Sequence, residues 1–148
     1  DGIVSSVSRT GKACYDLSYG AVSKVGLSAT TTYLLSYWSQ NSMPHIVLGT
    51  IGSPSLQSTV NGWNLFVHKV VGQDTISIAG TGYIDDIRIA PVNATMSSYT
   101  YDPSVGVSSV TDERNVVIYY VYDAAGRLQL VKDQNGDILK RYKYRYAR

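Results

Sequence analysis

The chain of 148 residues is poor in the side chains that most often do chemistry. Cys14 is its one cysteine, so neither an intrachain disulfide nor a cysteine-built zinc site is possible. Glu113 is the sole glutamate, and His45 and His68 are the only histidines, in separate segments without metal-ligand spacing. Charged residues make up 16%, and the net charge of +2 is too small to steer the whole surface toward nucleic acid or anionic lipid. No apolar run reaches the ~18 residues of a membrane span. No basic and then apolar leader opens the chain. No window sustains a capped apolar period of 3.6 residues, so almost no helix is predicted. The sequence starts at Asp1 without an initiator methionine and reads as a piece of something longer.

What is abundant points to β structure. Thirteen tyrosines and thirteen glycines stand beside plentiful serine and threonine. Short alternating or apolar runs recur between Gly, Pro and Ser breaks. Residues 3–8 are a strand or lead-in, and Ala13–Leu17 follows a turn at Arg9-Thr10-Gly11-Lys12. Ser28–Tyr37 places Tyr33, Leu35 and Tyr37 on one face and continues into Trp38, and Ile46–Leu48 is a short apolar strand. Trp63–Val71 sets Trp63, Leu65, Val67 and Lys69 against Asn64, Phe66, His68 and Val70, with His68 read as a surface or rim residue. Thr75–Ala79 and Tyr83–Ile89 follow, and the spacing of Ile84, Ile87 and Ile89 implies a slip or bulge at Asp85-Asp86. Close spacing of short strands predicts an all-β sandwich over residues 1–91. Residues 92–98 read as a linker.

Beyond the linker the chain repeats itself. Tyr101-Asp102 recurs as Tyr122-Asp123, Val107 as Leu128, Val110 as Val131 and Asp112 as Asp133, all 21 residues on. A third register begins near Tyr142 and Tyr144, one residue late. A fixed period of this size means one hairpin unit stacked on copies of itself. Tyr122, Asp123, Gly126, Arg127 and Leu128, followed by Asp133 and Gly136, resemble the YD repeats of the RHS family. The first unit departs from that pattern at Pro103, Val105 and Gly106. Its Tyr-Asp-Pro-x-Val-Gly-Val form, residues 101–107, is similar to variants in long surface proteins of Bacteroidetes. The resemblance covers residues 99–146 and implies β-hairpins that build a long ribbon, in some members a shell around a toxin.

The first part resembles the jelly-roll sandwiches of carbohydrate-binding modules, within the galactose-binding-like group. Arg9-Thr10-Gly11-Lys12 ahead of a strand, Tyr33–Trp38, Gly62-Trp63 and Gly82–Pro91 as the closing strand carry that likeness. Members of the group have a further strand before the Thr-Gly turn, so the sandwich here is expected to lack its first strand in whole or in part.

Few constellations suit chemistry. Asp85 and Asp86 are neighbours on a strand and point to opposite faces, which prevents their acting as a glycosidase pair. The resemblance implies a structural calcium at this strand, for which carboxylate oxygens are suited; the alternative is one Asp capping backbone groups and the other solvated. Trp38, Trp63, Tyr37 and Tyr19 are candidates for stacking on the apolar faces of sugars, and packing in a core is the competing role for aromatics of this size. Arg141-Tyr-Lys-Tyr-Arg-Tyr146 interleaves bases and tyrosines as single-stranded nucleic-acid platforms do, but on a strand the same alternation gives one tyrosine face and one charged face that protects an edge. No nucleic-acid partner is predicted. No nucleophile elbow, phosphate loop or dinucleotide fingerprint occurs, and no enzymatic role is expected.

The sequence therefore predicts a non-catalytic, extracellular or cell-surface β module without a cofactor, calcium excepted. Its partners would be a glycan on the sandwich and further repeats or a protein along the edge of the hairpin ribbon, and the tyrosine faces would pack on the sandwich or on another chain. The alternative is a purely structural scaffold or shell segment of a large exported protein, of toxin-delivery or secretion-substrate type.

Overall fold

In the computed structural model, which describes residues 1–145, the chain is almost wholly antiparallel β structure with a single 3-10 turn at Leu17–Tyr19. Tyr146 lies outside the described residues. The chain divides into two compact units at Ala94 and Thr95.

The first unit contains nine strands: β1 (Ile3–Val4), β2 (Cys14–Asp16), β3 (Val22–Lys24), β4 (Tyr33–Ser39), β5 (Ile46–Val47), β6 (Ser55–Val60), β7 (Trp63–Val70), β8 (Ile76–Ala79) and β9 (Tyr83–Pro91). Six of them form one sheet in the order β1-β2-β9-β4-β7-β6, and three form a second in the order β3-β8-β5. Leu35, Tyr37, Phe66, Val70 and Ile84 from the large sheet meet Val47, Ile76 and Ile78 from the small one in a single apolar core, closed by Leu17. The unit is thus a β-sandwich.

The large sheet is buried on its other face as well. Trp38, Trp63, Leu65, Val60 and Cys14 form a second cluster there, covered by Val4 and Val7 of the amino-terminal segment. This explains why alternation along β7 did not reveal which side was wet. The period of two assigns residues to faces, but in a central strand both faces are dry. The strand before the Thr-Gly turn is present only as the two residues of β1, paired with β2 at the sheet edge.

Two local features fix the registers. Strand β6, which the sequence reading did not assign, joins β7 through Asn61-Gly62, with φ of 49° and 79°. Val60 and Trp63 pair directly across those two residues. Positive φ at both positions is the geometry of the tight hairpin turn that matches strand twist. On the other side of β4, Ser36 pairs with Arg88 and Trp38 with Asp85, so Asp86 and Ile87 together oppose Tyr37. Asp86 takes φ of 45°. This is the bulge expected from the isoleucine spacing, and it returns Ile87 and Ile89 to the core face.

The second unit is a five-stranded meander in chain order: β10 (Ser98–Asp102), β11 (Gly106–Thr111), β12 (Val117–Tyr122), β13 (Leu128–Lys132) and β14 (Ile138–Arg141). Its fully buried residues are few, chiefly Val117, Ser109 and Thr111.

Candidate functional site

The most elaborate polar arrangement lies inside the sandwich, around Tyr37 and the two histidines. Strands β4 and β7 place Tyr37 and His68 on the core face, where His68 is 1% exposed. The hydroxyl of Tyr37 accepts the backbone N–H of His45 at 2.8 Å and lies 3.0 Å from Nε2 of His68. The hydroxyl of Thr50 lies 3.1 Å from Nδ1 of His68 and donates to the carbonyl of Val47 at 2.8 Å.

These bonds fix the protons. Thr50 has one hydrogen and gives it to Val47, so it must accept from Nδ1–H of His68. The buried Tyr37 hydroxyl then has one acceptor for its own hydrogen, Nε2 of His68. A neutral imidazole with its proton on Nδ1 satisfies every group in the chain, and no other form does. Ser39 extends the arrangement: it accepts the N–H of Asn41 at 3.1 Å and its hydroxyl lies 2.9 Å from Nε2 of His45.

Burial and the neighbouring His45 push the His68 pKa down to about 4, and burial lowers that of His45 also. Burial raises Tyr37 to about 12. All three side chains are therefore uncharged near neutrality. The Ser39–His45 pair has the spacing of a nucleophile and its base, but Ser39 is wholly enclosed and already accepts a backbone N–H, so no substrate reaches it. The Cys14 thiol is buried and its pKa is raised, chiefly by desolvation, which keeps it protonated and inert.

The aromatic residues considered for sugar stacking fall on both sides of the question. Trp38 and Tyr37 are 0% exposed and Trp63 is 4% exposed. Tyr37 packs on Phe66, and the guanidinium of Arg9 lies 4.4 Å over the Trp38 ring. Protein atoms already occupy these three aromatic faces, so they do not form a platform, and core packing is their role. Tyr19, at 67% exposure, stands on the surface in the 3-10 turn.

Asp85 is committed to backbone. Its Oδ2 accepts the N–H groups of Arg9 at 2.6 Å and Thr10 at 3.0 Å, and its Oδ1 accepts that of Asp86 at 2.7 Å. Desolvation is the largest influence on Asp85 and raises its pKa, against the lowering effect of these three donors. The carboxylate thus ties the Arg9-Thr10 turn to the closing strand. Both of its oxygens already accept backbone N–H groups. Among the described residues no three His, Cys, Asp or Glu side chains gather into a metal site.

In the second unit the recurring chemistry is a turn. Oδ1 of Asp123 accepts the N–H groups of Ala125 and Arg127, Oδ1 of Asp133 those of Asn135 and Asp137, and Oδ1 of Asp112 those of Arg114 and Val116. Asn115, Gly126 and Gly136 hold the positive φ that each turn needs. Asp123 adds a two-pronged contact to Arg127, 2.9 Å to Nε and 2.8 Å to Nη2. Tyrosines join one hairpin to the next: Tyr122 donates to the carbonyl of Val107 at 2.6 Å, and Tyr144 to that of Leu128 at 2.8 Å. The rings of Tyr142 and Tyr144 are covered by Lys140 and Arg127, at 4.9 and 4.5 Å. Two tyrosines of the interleaved segment are thus covered by bases from outside it.

Sequence reasoning missed His68, Thr50 and Ser39. The available signal was the pairing of β4 with β7, which sets His68 across from Leu35 and next to Tyr37, and pairing is not written in either segment alone. An antiparallel β-sandwich followed by a tyrosine-linked β-meander is the class these features define. No protein-family model matches the chain, and no curated protein matches it.

Proposed function

We propose that this chain is a non-catalytic structural module of a larger exported or surface protein, in which the sandwich is a rigid block and the hairpin meander an RHS-type spacer or interaction ribbon. One observation carries this reading. The polar and aromatic groups that could bind a ligand are spent on the chain itself: the tryptophans in the core, Asp85 on backbone N–H groups, and Tyr122 and Tyr144 on the preceding hairpin. Low charge, a single buried cysteine and abundant Ser, Thr and Tyr suit an extracellular setting.

Glycan binding is the second reading, and the exposure of Tyr19 is what favours it. A glycan array on the intact chain, with Tyr19→Ala, Trp38→Ala and Trp63→Ala assayed in parallel for folding, separates the two. The structural reading expects no specific glycan signal and loss of fold in both tryptophan variants. A signal that Tyr19→Ala abolishes in a folded protein would replace it with a sugar-binding module.

A further inference from the structure

We infer that residues 43–51 form an acid-released latch, held against the sandwich by the uncharged His68–Tyr37–His45 chain and freed by protonation before the sandwich as a whole unfolds. The segment is anchored weakly by backbone. β5 is only two residues long and pairs with β8 at an edge of the small sheet. Beyond it, Ile51 donates to the Lys69 carbonyl at 2.7 Å and Val71 to that of Gly49 at 3.1 Å. Apart from Val47, which packs in the core, the remaining ties run through the polar chain: His45 N–H to Tyr37, His45 Nε2 to Ser39, and Thr50 to His68.

That chain has one direction. Adding a proton to Nε2 of His68 turns the acceptor of the Tyr37 hydroxyl into a donor. Two donors then point at the phenol oxygen and its own hydrogen has no acceptor, a buried unsatisfied group. Protonating His45 sets a second positive charge beside the same tyrosine, and among the described residues no carboxylate pairs with either charge. On the core face His68 meets Tyr37 from β4 and Thr50 from the latch, and pairs across from Leu35. Tyr33 and Tyr15 lie at the margin of that core. Asp85 and Arg88 project from the opposite face, Asp86 sits in the bulge, and Lys69 and Lys24 are exposed. His45 is the one group that acts on His68 by its charge, and it acts to keep His68 neutral.

The segment also carries Met43, Ile46, Leu48 and Ile51, all exposed. Release would therefore free an apolar strip already on the surface and let it change conformation.

The test is hydrogen exchange of the whole chain at pH 7.5 and pH 4.5, corrected for intrinsic exchange. The latch predicts that amides 45–51 lose protection by about tenfold or more, the ratio that one pKa unit of linkage supplies, while the amides of β4 and β9 keep theirs. Unchanged protection in 45–51, or equal loss across the sandwich, overturns it. In His68→Gln, which cannot titrate, the response of 45–51 to pH should shrink; a full response in the folded variant also overturns the proposal. Should that variant fail to fold, an NMR titration of the wild type decides: the His68 ring and the 45–51 amides must share one midpoint below 6.5, and separate midpoints reject the latch.

Discussion

The hydroxyl of Tyr122 donates to the carbonyl of Val107, and one repeat later Tyr144 makes the same bond to Leu128. Val107 and Leu128 are equivalent positions, each the first or second residue of the strand that returns from an Asp turn. The tyrosine of each unit thus fastens the strand before it, across 15 residues in the one case and 16 in the other. Removing the hydroxyl in Tyr122→Phe should cost about 1 kcal/mol, the net worth of one hydrogen bond. Tyr101, at the start of the series and exposed, makes no such bond, so Tyr101→Phe should be close to neutral. Hydrogen exchange of β11 compared between the two variants checks this.

The Asp123–Arg127 contact is two-pronged and therefore specific to a guanidinium. Arg127→Lys should speed exchange at the Asp123 turn and leave the Asp133 turn unaffected. Donors from Arg127 hold the Asp123 carboxyl below its ordinary pKa of 3.8. A depressed carboxyl stabilises the fold above its unfolded pKa and loses that contribution as pH falls through the folded value. The difference between Arg127→Lys and wild type should accordingly begin to shrink as pH falls below 3.8 and vanish only below the depressed folded value.

Trp38 and Trp63 anchor the second core cluster. Replacing either by alanine should cost about 3–5 kcal/mol, the usual toll of an aromatic cavity, measured by chemical denaturation followed by far-UV circular dichroism. Trp38→Phe should cost far less than Trp38→Ala, because the buried Nε1 of Trp38 has no hydrogen-bond partner to lose.

Stability of the sandwich should fall in mild acid. His68 moves from an ordinary 6.5 to about 4 on folding, so the folded state binds fewer protons. Its contribution is complete above pH 6.5 and declines as pH falls toward 4, by about 3 kcal/mol across that gap. Asp85, with its raised pKa, works in the opposite direction at the lower end of the range. Urea midpoints between pH 7.5 and 4 should trace the histidine loss, and a flat profile would contradict it.

Asp85 holds the Arg9-Thr10 turn through backbone donors and without a metal, so thermal unfolding with and without EDTA is expected to coincide, and a shift would assign calcium a part in that tie. Asp85→Ala, by contrast, strands those donors and should cost about 1–3 kcal/mol.

The sequence by itself determined what is local. Alternation and Gly, Pro and Ser breaks are decided within a few residues, so the all-β class, the bulge at Asp85-Asp86 and the hairpin turns at Asp123 and Asp133 were legible. The Asn-Gly pair at 61–62 was an equally local signal for the β6–β7 hairpin. Tertiary structure decided what depends on partners far away in the chain. Only the pairing of β4 with both β7 and β9 makes it a central strand, and only burial of both faces of the large sheet turns Tyr37, Trp38 and Trp63 into core residues. The same pairing brings His68 to Tyr37 and creates a polar chain that neither segment encodes alone. A side chain's identity is local, but its solvent and its hydrogen-bond partners are set by the strands folded against it.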